Sequence, residues 1–275
     1  MKLSISISEN APLGTPFVLK KPWKESIALA KQIGYDAVEL HIRDPKTVDK
    51  DAIYQALEQN KIPVSSIGTG LGFGLDGLSL SHPCEAIRQK AIERIKDHID
   101  FARTVNACVI IGTMKGLAKE HTSYDAFINT FKSSLQTLIP YAQKNNVILV
   151  LEAINRYESD ALNTVEAMGS FIESLKSPYV MLHVDVFHMN IEEKNMMDAM
   201  IHHRLMIGHI HVADNNRHYP GAGVLCFENL ITLLKDMNYQ GYLAIESLDL
   251  PDPKTAAIEG YKHLSLYVHG RKKRV

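Results

Sequence analysis

Cysteine is scarce. Cys84, Cys108 and Cys226 are odd in number and far apart, which offers no disulfide framework and fits a reducing compartment. Long apolar runs are missing too: nowhere do about 18 apolar residues follow one another, so no membrane-spanning helix and no membrane partner are expected. The opening MKLSISISEN alternates polar and apolar residues and lacks the continuous apolar stretch of a signal peptide, so the expected location is the cytoplasm. Neither sign of charge is in excess. With 30 Lys and Arg against 31 Asp and Glu, a net charge of −1 argues against nucleic acid or an anionic membrane as a partner. No linker or low-complexity segment interrupts the 275 residues. Barrels of alternating strands and helices reach about 250 residues as one domain, so 1–275 reads as a single domain. Residues 265–275 read as the end of its last helix followed by a frayed, solvated basic tail, RKKRV.

What is present is alternation. Hydrophobic residues make up 45% of the chain, enough for a sizeable core, and short β-branched runs alternate with longer stretches of helical period. Eight strand candidates stand out: KLSISIS from Lys2, AVELHI from Ala37, PVSSIG from Pro63, ACVIIG from Ala107, NVILVLE from Asn146, YVMLHVD from Tyr179, IGHIHV from Ile207 and YLAIES from Tyr242. Amphipathic stretches such as WKESIALAKQIG, EAIRQKAIERIKDHIDFARTV, FINTFKSSLQTLIPYAQKNN, TVEAMGSFIESLK and FENLITLLKDMN are long enough to be crossover helices. Eight such units predict a closed parallel (β/α)8 TIM barrel. An internal echo supports it, because KQIGYDAVEL and KDMNYQGYLAIE both turn on a tyrosine into a strand that finishes in Glu39 or Glu246.

Barrel enzymes place their chemistry at the carboxyl ends of the strands. Glu152 closes the fifth strand candidate, Asp185 the sixth, His211 the seventh and Glu246 the eighth, each about one strand-and-helix unit after the last. Three carboxylates crowded on one rim repel, and a divalent cation resolves the repulsion. Mixed oxygen ligands with one imidazole suit Mn²⁺, Mg²⁺, Co²⁺ or Zn²⁺. Residues two apart share a face of a strand, so His183 and His209 should lie one layer below, as hydrogen-bonded supports. Glu158, His188 and Arg217 each follow a ligand at short range, on loops above the rim where a bound substrate would lie. Asp214, Asn215 and Asn216 read as turn formers. The run GTGLGFG, Gly68–Gly74, lacks a helix directly behind it and reads as a rim loop rather than a phosphate loop. SHPCEAIRQKAIERI reads as a helix start, capped by Ser81 or His82 with Glu85 in the first turn. Arg43, Lys115, Arg156 and His218 are the cationic candidates for a carboxylate or phosphate on the far end of a substrate.

The stretches LEAINRYESDALNT, HVDVFHMNIEE, GHIHVADNNRHYPGAG and YLAIES resemble the ketose 3-epimerases of the D-tagatose 3-epimerase type, within the xylose-isomerase-like barrels, over nearly the whole chain. HIRDP, IGTGLGFGLDGLSLSHP and NRYESDALNT look closest to a subgroup that epimerises keto-sugar acids such as 5-keto-L-gluconate. The resemblance implies a divalent ion, usually Mn²⁺, on Glu152, Asp185, His211 and Glu246, and substrate contacts from Glu158, His188 and Arg217. It also implies epimerisation at C3 of a small ketose or keto-sugar acid through a cis-enediolate, with Glu152 and Glu246 as the two opposed bases, in a homodimer or homotetramer. The nearest rival is an aldose–ketose isomerase of a sugar or sugar phosphate. The remoter one is a hydrolase like the apurinic-site endonucleases of the same superfamily, which carry three zinc ions and histidines from earlier strands. Here the third and fourth strand candidates end in IGTG and IGTMKG, without histidine.

Overall fold

A computed structural model describes residues 1–9 and 11–270. Eight parallel strands close a barrel in chain order: β1 (Lys2–Ile7), β2 (Ala37–His41), β3 (Val64–Gly68), β4 (Cys108–Ile111), β5 (Leu149–Glu152), β6 (Val180–Asp185), β7 (Ile207–Val212) and β8 (Tyr242–Ile245). Each falls on one of the eight expected stretches. The surrounding helices are α1 (Trp23–Ile33), α2 (Lys50–Asn60), α3 (Leu71–Asp76), α4 (Glu85–Val105), α5 (Tyr124–Asn145), α6 (Val165–Leu175), α7 (Val186–Glu192), α8 (Met196–His202), α9 (Phe227–Asp236) and α10 (Pro253–Val268). Residues 271–275, where the basic tail was expected, lie outside the described residues.

Local chemistry sets the boundaries. Side chains of Asp49, Ser123, Thr164 and Asp252 each accept a backbone N–H in the first turn of the helix that follows. Gly34 ends α1 at φ 118°, beyond the easy reach of a residue with a Cβ. Two expectations need correction. The glycine-rich run is not an open loop: residues 71–76 form the short helix α3, stopped by Gly77 in the left-handed region. And α4 begins later than its expected caps, with Cys84 at the N-cap position; the His82 ring instead accepts the Cys84 N–H.

Strand alternation divides the apolar from the polar residues. Leu3, Ile5 and Ile7 of β1, Val38 and Leu40 of β2, and Leu149 and Leu151 of β5 are buried in one continuous apolar cluster that extends to Leu264 of α10. The opposite faces carry Ser4, Ser6, Glu39, His41, Ser66, His183 and His209, all buried. Most barrels fill this space with branched aliphatic side chains; here much of it is a hydrogen-bonded polar column beneath the rim.

Candidate active site

The last residues of β5 and β6, the fifth residue of β7 and the residue after β8 deliver Glu152, Asp185, His211 and Glu246 to one rim, all buried. Around His211 Nδ1 stand Glu246 Oε2 at 3.6 Å, Glu152 Oε1 at 3.9 Å and Asp185 Oδ2 at 3.9 Å. These separations are too long for hydrogen bonds. They suit atoms sharing one ion, because ligands each about 2.1 Å from a cation lie roughly 3–4 Å apart. Neither His211 Nδ1 nor Asp185 Oδ2 has a hydrogen-bond partner, and these two buried polar atoms stand 3.9 Å apart. Glu152, Asp185 and His211 have donor atoms within 4.8 Å of one another, and Glu246 forms a like group with His211, Glu39 and His41. The donor set therefore fits a divalent cation.

The electrostatics agree. Burial pushes the Glu152 carboxyl up to about 8, reinforced by the charge on Glu246 and only partly offset by His211. Burial likewise lifts Asp185 to about 6. Glu246 goes the other way: burial is outweighed by His211, His41 and Arg217, which hold its carboxyl well below the usual range. Without a cation the rim cannot keep all three carboxylates charged.

The expected substrate contacts converge on the same space. His188 sits in the first turn of α7 rather than on a loop, and is buried. Burial, with Arg217 nearby, holds its imidazole well below its ordinary value, so it is neutral. Asn155 Nδ2 donates to His188 Nδ1 at 2.6 Å and to Glu158 Oε1 at 3.0 Å. The proton of His188 is thus left on Nε2, which lies 3.8 Å from Glu152 Oε1 and 3.7 Å from Asp185 Oδ2. Arg217 adopts φ 60°, donates from Nη1 to Glu158 Oε1, and brings Nη2 to 3.6 Å from Glu246 Oε2. Its guanidinium packs 4.7 Å from the Phe187 ring centroid. Asp214 builds the turn that carries it, accepting N–H groups from Asn215, Gly221 and Leu225. A cavity of about 220 Å³ opens above these groups, walled on the far side by Thr15, Pro16, Phe17, Leu71 and Phe73.

The other expected cations are elsewhere. Arg43 pairs with Asp76 and Arg156 with Glu192; Lys115 is enclosed, and none of these three nor His218 lines the cavity. Of the supporting histidines, His209 donates from Nε2 to Glu39 Oε2 at 2.7 Å, whereas His183 has no hydrogen-bond partner and packs edge-on against His211. Sequence reasoning missed Glu39, His41 and Asn155. For the first two the signal was present, since they stand two apart on β2 as His183 and Asp185 do on β6. Nothing in the sequence marked Asn155.

Comparison with known proteins identifies the family of the fold. An L-ribulose 3-epimerase from Methylomonas is 27% identical over 84% of this chain and 81% of its own length. A 3-dehydro-D-guloside 4-epimerase from Escherichia coli is 27% identical over 84% of this chain and 90% of its own. The crystal structure of a 3-keto-D-glucoside 4-epimerase from E. coli superposes with a TM-score of 0.80 at 25% identity, covering 96% of this chain and 99% of the other. The family model for the xylose isomerase-like TIM barrel matches residues 27–267, and the chain belongs to that family.

Proposed function

We propose that this chain is a carbohydrate epimerase that inverts C3 of a small ketose or keto-sugar acid, with Glu152, Asp185, His211 and Glu246 holding one divalent cation, Mn²⁺ before Mg²⁺, Co²⁺ or Zn²⁺. The observation that carries the reading is the gathering of three buried carboxylates 3.6–3.9 Å from His211 Nδ1, two of them glutamates arriving from β5 and β8, three strands apart round a ring of eight. The activities of the 3- and 4-epimerase relatives support it.

A cation held there supplies Lewis acidity, stabilising the negative charge that develops beside the sugar carbonyl. Glu152 from β5 and Glu246 from β8 both line the cavity; in this reading one takes the C3 proton and the other returns a proton to the opposite face. His188 Nε2–H and the Arg217 guanidinium donate to oxygens next to the reacting carbon, and Glu158 fixes Arg217 or a sugar hydroxyl. Phe17, Leu71 and Phe73 give the cavity an apolar wall. An aldose–ketose isomerase would need a base on one face only, which leaves the second glutamate without a task. The rims of β3 and β4 end in Gly68 and Gly112, which offer no ligands for the metal cluster of a nuclease.

The reading carries with it a single-domain, cytoplasmic, homo-oligomeric enzyme; exposed Leu205 and Val224 supply apolar surface for self-association. No helix among the described residues is long and apolar enough to cross a membrane. Mn²⁺-loaded protein in D₂O, followed by NMR over a panel of ketoses and keto-sugar acids, should show deuterium entering at C3. Glu246→Gln should fold and lose that exchange by roughly 10³-fold or more. Undiminished exchange in the variant would refute the two-glutamate assignment.

A further inference from the structure

Glu39 is fully buried at the second layer of the barrel, where an uncompensated carboxylate would be very costly. It is compensated four times over. His41 Nε2 donates to Oε1 at 2.7 Å, while Ser66 Oγ at 2.6 Å and His209 Nε2 at 2.7 Å donate to Oε2. His211 Nε2 donates at 2.9 Å, equidistant from both oxygens. Donors from β2, β3 and β7 therefore occupy this one group, and its lone pairs are fully engaged below the rim.

The fourth contact has the consequence. An imidazole that spends Nε2–H on a carboxylate presents Nδ1 as an electron-pair donor, and the opposite face of the ring's chemistry is closed to it. His211 Nδ1 is the atom without a partner, the one surrounded by Glu152, Asp185 and Glu246. We infer that Glu39 is a positioning residue: through its hydrogen bonds to His211 Nε2 it fixes the ring's orientation and tautomer so that Nδ1, and not Nε2, meets the cation. His41, Ser66 and His209 keep Glu39 from swinging up to become a ligand itself. Glu39, His41, His211 and Glu246 also have donor atoms close enough to suggest a second ion, but the engaged oxygens of Glu39 make the orienting role the better account. The inference rests on the proposed metal-dependent function.

Two measurements test it. Mn²⁺ binding, read from the electron spin resonance signal of the free ion, should weaken by about 10–100-fold in Glu39→Gln, the usual cost of losing such a partner. Activity should recover in part at saturating Mn²⁺. A role in core stability alone would lower the melting temperature of the metal-free protein and leave the affinity unchanged, and that result overturns the inference. Should Glu39→Gln fail to fold, the wild-type protein answers by itself. With ¹⁵N-labelled histidine and diamagnetic Zn²⁺, the His211 resonances should show Nδ1 ligated and Nε2 still protonated; ligation through Nε2 overturns the proposal. Failure of the wild-type chain to take up Mn²⁺ or Zn²⁺ would sink the proposed function along with it, whereas wild-type uptake and C3 exchange with unchanged affinity in the variant would sink this inference alone.

Discussion

At the scale of single residues, Asn155 and Gly68 shape the candidate site without being among its proposed metal ligands. Asn155 joins His188 to Glu158 by two hydrogen bonds from one amide, so it sets the His188 tautomer and the height of Glu158 together. Asn155→Ala should leave Mn²⁺ affinity within about twofold and lower kcat/KM by roughly 10²-fold, the order expected when a catalytic group is misplaced by about an ångström; steady-state kinetics beside a metal titration would check it. Gly68 acts by what it lacks. A Cβ there would stand 2.1 Å from His41 Nδ1, so Gly68→Ala should cost about 1–3 kcal/mol by overpacking and displace the His41 ring, read as a lowered unfolding midpoint. Neither role was visible in the sequence, because an asparagine in NRYE and a glycine in IGTG are ordinary loop and turn residues until the strands bring their neighbours in.

Among the elements, the strands were far more legible than the helices. All eight strand stretches announce themselves by β-branched runs, and their spacing places Glu152, Asp185, His211 and Glu246 on one rim. Helix α2 escaped because it buries little beyond Ile53 and Ala56 and so shows weak apolar periodicity. Helices α3, α7 and α8 are too short, at six or seven residues, to show a repeat at all. That is why His188 was expected on a loop and is found on a helix. The segment after β7 is held by one carboxylate: Asp214 is fully buried and takes three backbone N–H groups. Asp214→Ala would leave them unpaired and should destabilise the protein by about 2–4 kcal/mol, while raising KM through the loosened Arg217. An unchanged melting curve and an unchanged KM would show that the turn holds without it.

For the molecule as a whole, the rim couples stability to pH, and under the proposed function to metal as well. Asp185 and Glu152 have raised carboxyl pKa values, near 6 and 8. Their protonated forms therefore favour the folded state at low pH, and that stability is lost as pH rises through about 6 to 8. His211 is raised well above its ordinary value: burial opposes this, but Glu39 and Glu246 outweigh it, so it acts in the same direction. Metal-free protein should thus show an unfolding midpoint that falls from about pH 5 to about pH 8, and saturating Mn²⁺ should flatten the fall. At a hundred times its dissociation constant the ion adds about 2.7 kcal/mol. A midpoint that is flat without metal would contradict the raised carboxyls. Beneath that rim, the serine, glutamate and histidine column leaves cohesion to the annulus where strand backs meet helices. Two tasks are therefore housed in different shells of the same molecule. Selection can rework the lumen, and with it what the cavity accepts, while the outer packing that keeps the chain folded goes untouched.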